Sequence, residues 1–466
     1  MRPVNCVPNN ETQITMDKQF FAGKNVLVMG LGRFGGGVDA AKFAAGAGAK
    51  VIVTDLASEE KLSDSIKQLA EFPDVEYHFG SHDPADFKQA DVVIVNPAVP
   101  PENQYLQLAR QHGKVVTSQI GIFFQLCPAM IIGITGANGK STTAALTAHL
   151  LKSKSDKKIW LSGNIGNEPL LTILDQINRK DAVVLELSSF QLEQLAEIKK
   201  APDVSLLTNL TPNHLDRYGT FANYCAAKEN IFKFQEPDEK CHAVSIFNAK
   251  DKIATEWFEK YKTDAGRTCI KFSTDDISEE IRKSFPLPGR ANLSNLAAAL
   301  CIAKHCGIED EKIIESLPKF KALPHRLEFV AEIKGVKWYN DSKATTPQSA
   351  IASLEAFEQP VIIIAGGYDK NVPFDELGQK IAEKTKAAIL FGQTAQKIAD
   401  AILTPPKSKT KTEIVISLAE AVKLAKQLAA NGDVVLLSPA CASYDMFDNF
   451  EQRGKEFCKL VMEISS

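Results

Sequence analysis

Met130-Ile131-Ile132-Gly133-Ile134-Thr135-Gly136-Ala137-Asn138-Gly139-Lys140-Ser141-Thr142 is the stretch that decides the fold. Its first six residues are mostly apolar and rich in isoleucine, as in a buried strand, and Lys140-Ser141-Thr142 leads into a helix-like run, Ala144 to Leu151. A strand, a glycine loop and a helix in that order form a phosphate cradle. Backbone N–H groups surround the oxygens, the Lys140 ammonium sits on the β/γ oxygens, and the Ser141 hydroxyl is available to Mg²⁺. The strict G-x-x-x-x-G-K-[ST] form is not met, because position 134 is Ile. What remains is a shorter G-x-x-G-K-S-T loop, and it predicts ATP binding by Gly136, Ala137, Asn138, Gly139, Lys140, Ser141 and Thr142.

The same grammar recurs on both sides. Upstream, the apolar run Asn25 to Met29 feeds Gly30-Leu31-Gly32-Arg33-Phe34-Gly35, an Ala-rich helical stretch, and a second strand Lys50 to Thr54 that ends in Asp55. Gly30, Gly32 and Gly35 in that context, with an acid twenty residues on, match the dinucleotide fingerprint. The physics serves any nucleotide diphosphate: glycines admit the phosphate, a helix N-terminus favours it, and the acid accepts from a sugar hydroxyl. A tight turn without ligand reads the same way. Downstream, Ala182 to Leu187 and Val204 to Leu207 are further buried strands, and a third block from near Pro324 carries Val361 to Ala365, Ala387 to Phe391, Glu413 to Ile416 and Asp433 to Leu437. The organisation is therefore α/β in three domains with mainly parallel sheets. A polar extension (1–20) precedes a Rossmann-like domain (21–117), a central loop-bearing domain (118–322) and a second Rossmann-like domain (323–466).

Two further residues fit the central loop. Glu186 ends an apolar strand, where a buried carboxylate is costly without a cation, so it reads as a Mg²⁺ ligand. His214, in Thr208-Asn209-Leu210-Thr211-Pro212-Asn213-His214, follows another apolar strand at the sheet edge where open α/β sheets bind ligands; a structural histidine is an equal reading.

Composition narrows the class. With 466 residues, 44% hydrophobic, and 54 basic against 57 acidic residues, the chain is an ordinary globular protein with a formal charge of −3. No bulk field invites nucleic acid or anionic membrane, and the basic stretches Lys152 to Lys158 and Lys407 to Lys411 contain no aromatic residue to stack on bases. No apolar run spans a bilayer and Met1 to Gln19 lacks the apolar core of a signal peptide, so a cytoplasmic protein is expected. Nine scattered cysteines without a C-x-x-C pair argue against a disulfide framework or structural zinc.

Taken together, these segments resemble the Mur ligases, ATP-dependent amino-acid-adding enzymes of peptidoglycan synthesis, from about Gly30 to the C-terminus. Asn340-Asp341-Ser342-Lys343-Ala344-Thr345, Gly366-Gly367-Tyr368-Asp369-Lys370 and Leu437-Ser438-Pro439-Ala440-Cys441-Ala442-Ser443, with Phe447, Phe450 and Arg453-Gly454, resemble the branch that adds D-glutamate to UDP-N-acetylmuramoyl-L-alanine. The Asp-Asn-Pro-Arg segment of the diaminopimelate-adding branch is absent. The resemblance implies a monomer that phosphorylates the alanine carboxylate with ATP and lets the amine attack the acyl phosphate. It implies that Ser141, Glu186, His214 and a carbamylated Lys228, in Tyr224-Cys225-Ala226-Ala227-Lys228, approach two Mg²⁺ ions. It assigns Gly30, Gly32, Asp55, Asn164, Ser188 and His214 to the UDP substrate, Asn292, Arg326 and Asp341 to ATP, and Lys343, Thr345, Ser443 and Phe450 to D-glutamate. The chain departs from the family's usual residues at Arg33, Phe34, Ala291, Thr346 and Tyr444, and Gln119 to Ile122 lacks the usual acidic residue.

Three rival readings share parts of this pattern. A related ligase could add another amino acid, or glutamate to a folate. A nicotinamide-dependent dehydrogenase built on Gly30 to Gly35 leaves the second loop, Glu186 and His214 without a role. A nucleotide-gated binding module uses the loops without turnover.

Overall fold

A computed structural model describes residues 16–33, 35–153, 157–165, 169–236, 243–403 and 410–465. Residues 1–15 of the polar extension, Phe34, Gly166 and the 154–156 and 407–409 portions of the basic stretches lie outside the described residues. The chain divides into two compact units, 1–272 and 273–466.

The first unit contains two parallel sheets. β1 (Asn25–Met29), β2 (Lys50–Asp55), β3 (Glu76–Phe79), β4 (Val92–Val95) and β5 (Val115–Ser118) are arranged in the order β3-β2-β1-β4-β5. β6 (Met130–Thr135), β7 (Ile159–Gly163), β8 (Ala182–Glu186), β9 (Val204–Leu207), β10 (Ala243–Asn248) and β11 (Arg267–Phe272) follow in the order β11-β10-β9-β6-β8-β7. Met16 and Phe21 are buried in this unit's core, so the chain is packed from at least Met16 onward. β4, β8, β9 and β10 are buried at every residue, which is why their sequences are mainly apolar rather than alternating, with Glu186, Ser205, Ser245 and Asn248 as the polar exceptions.

The second unit is built on β12 (Glu328–Ile333), β13 (Val336–Asn340), β14 (Val361–Ala365), β15 (Thr385–Leu390), β16 (Lys411–Ile414) and β17 (Val434–Leu437), in the order β12-β13-β17-β14-β15-β16. Only the β12–β13 hairpin, turning at Lys334-Gly335, is antiparallel. The helix Arg290–His305 groups with this unit. The strand expected over 413–416 lies two residues earlier, because β16 pairs with β15 from Ala387↔Lys411 to Leu390↔Ile414. Ile416 is left 81% exposed beyond the ladder, so its hydrophobicity was a false cue.

The first sheet also shows which glycines of the fingerprint are steric. Gly30, Gly32 and Gly35 all have positive φ, and Gly35 caps the helix Gly36–Gly46 in the left-handed region with open space where a Cβ would stand. The close approach is two residues later. A Cβ on Gly37 would lie 2.4 Å from the carbonyl oxygens of both Gly30 and Leu31, backbone atoms that cannot swing aside. Gly37→Ala should therefore destabilise the first unit by about 1–3 kcal/mol, the usual range for overpacking. Gly35→Asn, which keeps left-handed φ accessible, should cost far less. Urea unfolding of the two variants checks this; equal midpoints would place the steric constraint elsewhere.

Candidate active site

β6, β8 and β9 lie side by side in the order β9-β6-β8, so the segments that leave their C-terminal ends meet in one place. The glycine loop follows β6. Gly136 (φ +146°) is pressed against the end of β9, where a Cβ would lie 2.0 Å from Thr208 Oγ1. Ala137 N–H donates to Asn209 O (2.8 Å), Asn138 N–H to Asn209 Oδ1 (3.0 Å), and Thr208 Oγ1 to Asn138 O (2.6 Å). Thr208 and Asn209 thus act as the loop's brace, a role the sequence does not announce. Gly139 (φ +80°) is the N-cap of the helix Lys140–Lys152 and offers no side chain there, so the first turn faces the loop with its dipole's positive end. Lys140 Nζ is folded back on Ala137 O at 3.0 Å, and Ser141 and Thr142 are buried in the first helical turn.

Behind the loop lie two buried ionisable groups. Glu186 ends β8; its Oε1 accepts from Asn164 Nδ2 (3.2 Å), while its Oε2 is buried with no hydrogen-bond partner among the described residues. Lys228 is on the helix Phe221–Lys233, 2% exposed, and donates to Thr135 Oγ1 at 3.0 Å; that hydroxyl in turn donates to Leu187 O (2.7 Å). Burial pushes the Lys228 amine well below the ordinary lysine range, the nearby Lys140 ammonium pushes the same way, and Glu186 opposes both. His214 adopts left-handed φ (+51°) at the N-cap of the short helix Leu215–Tyr218, and its ring packs 5.3 Å from Phe190 and 6.2 Å from Tyr224. Desolvation, followed by Lys228, lowers its pKa, which favours a neutral imidazole; Asp216 works against this. Ser188 caps the helix Ser189–Glu197 in a capping box with Gln191, so its hydroxyl has a structural function whatever else it meets.

Lys140, Asn164, Glu186, His214 and Lys228 are therefore gathered around one loop. Among the described residues no three His, Cys, Asp or Glu side chains converge on a point. The donors present, the unpartnered Glu186 oxygen and the Ser141 hydroxyl, fit Mg²⁺, which takes one or two carboxylates and completes its shell with phosphate and water.

In the first sheet, Gly30 N–H donates to Thr54 O (2.8 Å), Gly32 N–H to Asp55 Oδ2 (3.0 Å) and Ala57 N–H to Asp55 Oδ1 (2.9 Å). Asp55 thus closes the glycine turn with one carboxylate oxygen and the turn after β2 with the other. A shallow cleft beside that turn is lined by Gly30, Gly36, Asn96, Pro97 and Gln119.

In the second unit, Asp341 is buried and accepts from Leu327 N–H (3.1 Å), Ser438 Oγ (3.0 Å) and the Ser353 hydroxyl. Burial raises its pKa to about 6 despite these donors and the Arg326 guanidinium nearby. Arg326 sits between His325 and Leu327, both at positive φ, so a strained turn fixes its backbone. Asn292, in the first turn of the helix Arg290–His305, has local partners, Pro288 O (2.7 Å) and Asn295. Lys343 Nζ lies 5.3 Å from the centre of the Phe450 ring, and Thr345 N–H donates to Lys343 O. Ser443 Oγ is buried with no partner among the described residues. The two loops that carry these residues are joined by Arg453. Its fully buried guanidinium donates to Ser342 Oγ and O and to the Cys441 and Ala442 carbonyls at 2.9–3.2 Å, and burial lowers its pKa to about 10. Five donors on one planar head suit that task, and in the sequence Arg453 stands only as part of Arg453-Gly454 among the residues that carry the family resemblance.

Residues 24–118 match the Mur ligase MurD-like N-terminal domain, 134–303 the Mur ligase middle domain and 325–441 the Mur ligase glutamate ligase domain. The chain is 38% identical to the UDP-N-acetylmuramoylalanine–D-glutamate ligase of a Roseiflexus species, over 94% of this chain and 98% of that protein. It is 37% identical to the enzyme of the same name from Caldanaerobacter subterraneus, over 95% and 98% of the two chains. Among solved structures, MurF of Acinetobacter baumannii superposes with a TM-score of 0.58 at 16% identity, over 93% of each chain, a likeness of fold. Three domain matches in order and near full-length identity place this chain in the Mur ligase family.

Proposed function

We propose that the chain joins D-glutamate to the alanine carboxylate of UDP-N-acetylmuramoyl-L-alanine, with conversion of ATP to ADP and phosphate, in cytoplasmic peptidoglycan precursor synthesis. The carrying observation is the pair of under-satisfied buried groups, Glu186 and Lys228, directly behind a phosphate-cradling loop. Structure alone has no use for them, and a Mg·ATP site does. The choice of D-glutamate rests on the names of the relatives and on the loop residues of the second unit. The dehydrogenase and binding-module readings leave these groups without work. A coupled assay for ADP release, run with the UDP substrate and a panel of amino acids, tests the whole reading. ADP release that needs both the UDP substrate and D-glutamate supports it; release with neither, or with a folate instead, overturns it.

Mechanism in this reading is mostly positioning and charge neutralisation. Lys140 leaves Ala137 O to meet the β/γ-phosphate oxygens, and the N–H groups of the first helical turn hold the rest of the phosphate. Glu186 and Ser141 would hold a divalent ion, which would neutralise charge on those phosphates. Burial disfavours the charged form of the Lys228 amine; its neutral form adds CO₂ to give a carbamate and releases one proton, so that the site becomes anionic. Neutral His214 and Asn164 face the substrate carboxylate, Arg326 and Asp341 hold the nucleotide, and Lys343, Thr345, Ser443 and Phe450 receive D-glutamate.

Lys228→Ala should lose most turnover, and added short carboxylic acids should restore part of it by returning an anion to the vacated space. Full activity in the variant overturns the assignment.

Selectivity follows from the second-unit loops. Charge-assisted hydrogen bonds from Lys343 and a hydroxyl contribute about 1.5–3 kcal/mol each, so two losses give about 10²–10⁴-fold discrimination against D-alanine. L-Lysine should fail further, because like charges meet. Measured kcat/KM values for D-glutamate, L-glutamate, D-alanine and L-lysine decide it; parity of D-alanine with D-glutamate refutes the pocket.

Asp341 sets a pH dependence. Its folded-state pKa lies above the unfolded one, so its contribution to stability is complete below about pH 4 and is lost as pH rises through about 6. Asp341→Asn removes that loss. The variant should gain on the order of 3 kcal/mol over the wild type at pH 8 and nothing near pH 4. Thermal midpoints at both pH values check the sign; a variant destabilised more at pH 8 than at pH 4 contradicts it.

A further inference from the structure

Asp39 lies in the first turn of the helix Gly36–Gly46 and is 2% exposed. Its carboxylate accepts four hydrogen bonds, from Leu171 N–H (2.8 Å), Thr172 N–H (3.0 Å), the Thr172 hydroxyl and the Gln119 side-chain amide. Two different parts of the first unit thus meet on one side chain. Leu171 and Thr172 belong to the segment between β7 and β8 of the second sheet. Gln119 opens the helix Gln119–Leu126 directly after β5 of the first.

The Gln119 contact has a direction. Its Nε2 is committed to Asp39, so its Oε1 must point the other way. That oxygen lies 3.4 Å from where a Cβ on Gly36 would stand, in the cleft lined by Gly30, Gly36, Asn96, Pro97 and Gln119. An amide with its donor anchored and its acceptor presented reads a hydrogen-bond donor, such as a ribose hydroxyl or the imide N–H of uracil. The same geometry disfavours an acid at 119, which would set two carboxylates against each other beside Asp39. We propose that Asp39 is a positioning residue for the UDP cleft: it fixes the Gln119 amide so that Oε1 faces the nucleotide, and it locks that orientation to the Leu171–Thr172 turn of the central domain. The inference rests on the UDP reading of the cleft given above.

Calorimetric binding of UDP, and separately of ATP, to the full-length chain tests it, alongside ligase turnover. Gln119→Glu should weaken UDP binding about 10- to 100-fold and leave ATP binding unchanged. Asp39→Asn placed in the Gln119→Glu background should recover most of that loss, because the new amide can donate to the new carboxylate. A purely structural Asp39 predicts the opposite: losses that add, a lowered thermal midpoint, and UDP and ATP binding that fall together. Unchanged UDP affinity in Gln119→Glu, or no recovery in the double variant while the wild type binds UDP and turns over, overturns the inference alone. A wild type that neither binds UDP nor turns over overturns the functional reading, and this one with it.

Discussion

Two ionisable side chains, Glu186 and Lys228, are buried behind one glycine loop with fewer partners than their charges require. Each costs several kcal/mol to desolvate, and the observed contacts return only part of that: one amide for Glu186, one hydroxyl for Lys228. Selection for stability alone would have replaced both with apolar residues. The surrounding fold is arranged to keep them. β8 delivers Glu186 at its last residue, β6 delivers Thr135 beside it, and the helix Phe221–Lys233 packs Lys228 down onto that hydroxyl. The burial that makes these groups expensive also makes them responsive, because an ion or phosphate entering this space is met at low dielectric.

The sheet order makes that convergence possible. With β9, β6 and β8 adjacent and parallel, three consecutive strand ends open onto the same edge. One strand supplies the loop, one the carboxylate and one the Thr208-Asn209 brace. Gly136 is then a packing requirement as much as a ligand requirement, since any Cβ there would collide with Thr208 Oγ1. The second unit solves an equivalent problem differently. Two loops leave β13 and β17, neighbours in the sheet, and are held together by the Arg453 guanidinium through carbonyls and a hydroxyl and by the Asp341 carboxylate, which accepts from Ser438 Oγ.

The residues that were legible in the sequence share a physical reason. β6, β8, β9 and β14 are covered on both faces, so they are mainly apolar runs, and the glycine loop and Glu186 are punctuation at their ends. β3 and β12 are edge strands, half-exposed and carrying Glu, Tyr and His or Glu, Phe and Val, with no period to separate them from loops, whereas β4 and β10 are buried throughout and were not named from the sequence either. Side chains that work by reaching across the chain were invisible for a different reason. Asp39 meets partners about 80 and 130 residues away, and Arg453, although part of the quoted Arg453-Gly454 pair, reaches back more than 100, so nothing local reveals the task of either. Ser188 illustrates the converse: its position after a strand reads as a ligand site, but Ser-x-x-Gln is equally a capping box, and the structure uses it as one.

The first domain shows why a fingerprint names a geometry and not a ligand. In the dinucleotide reading, the acid at the end of the second strand is free to accept from a ribose. Here Asp55 spends both oxygens on backbone N–H groups of Gly32 and Ala57, so it shapes the turn before any ligand arrives. Each of those oxygens keeps a second lone pair, so side chains around the turn add to what Asp55 can read. Asn96 is one, donating to Gly30 O and accepting from Ala98 N–H, and Gln119 is another. Neither belongs to the G-x-G-x-x-G pattern, and both are placed by strands β4 and β5 on the far side of the sheet's switch point from β2. A motif search weighted on the glycines therefore cannot separate a dehydrogenase from a UDP-binding domain, because the side chains that follow β4 and β5 lie outside the pattern.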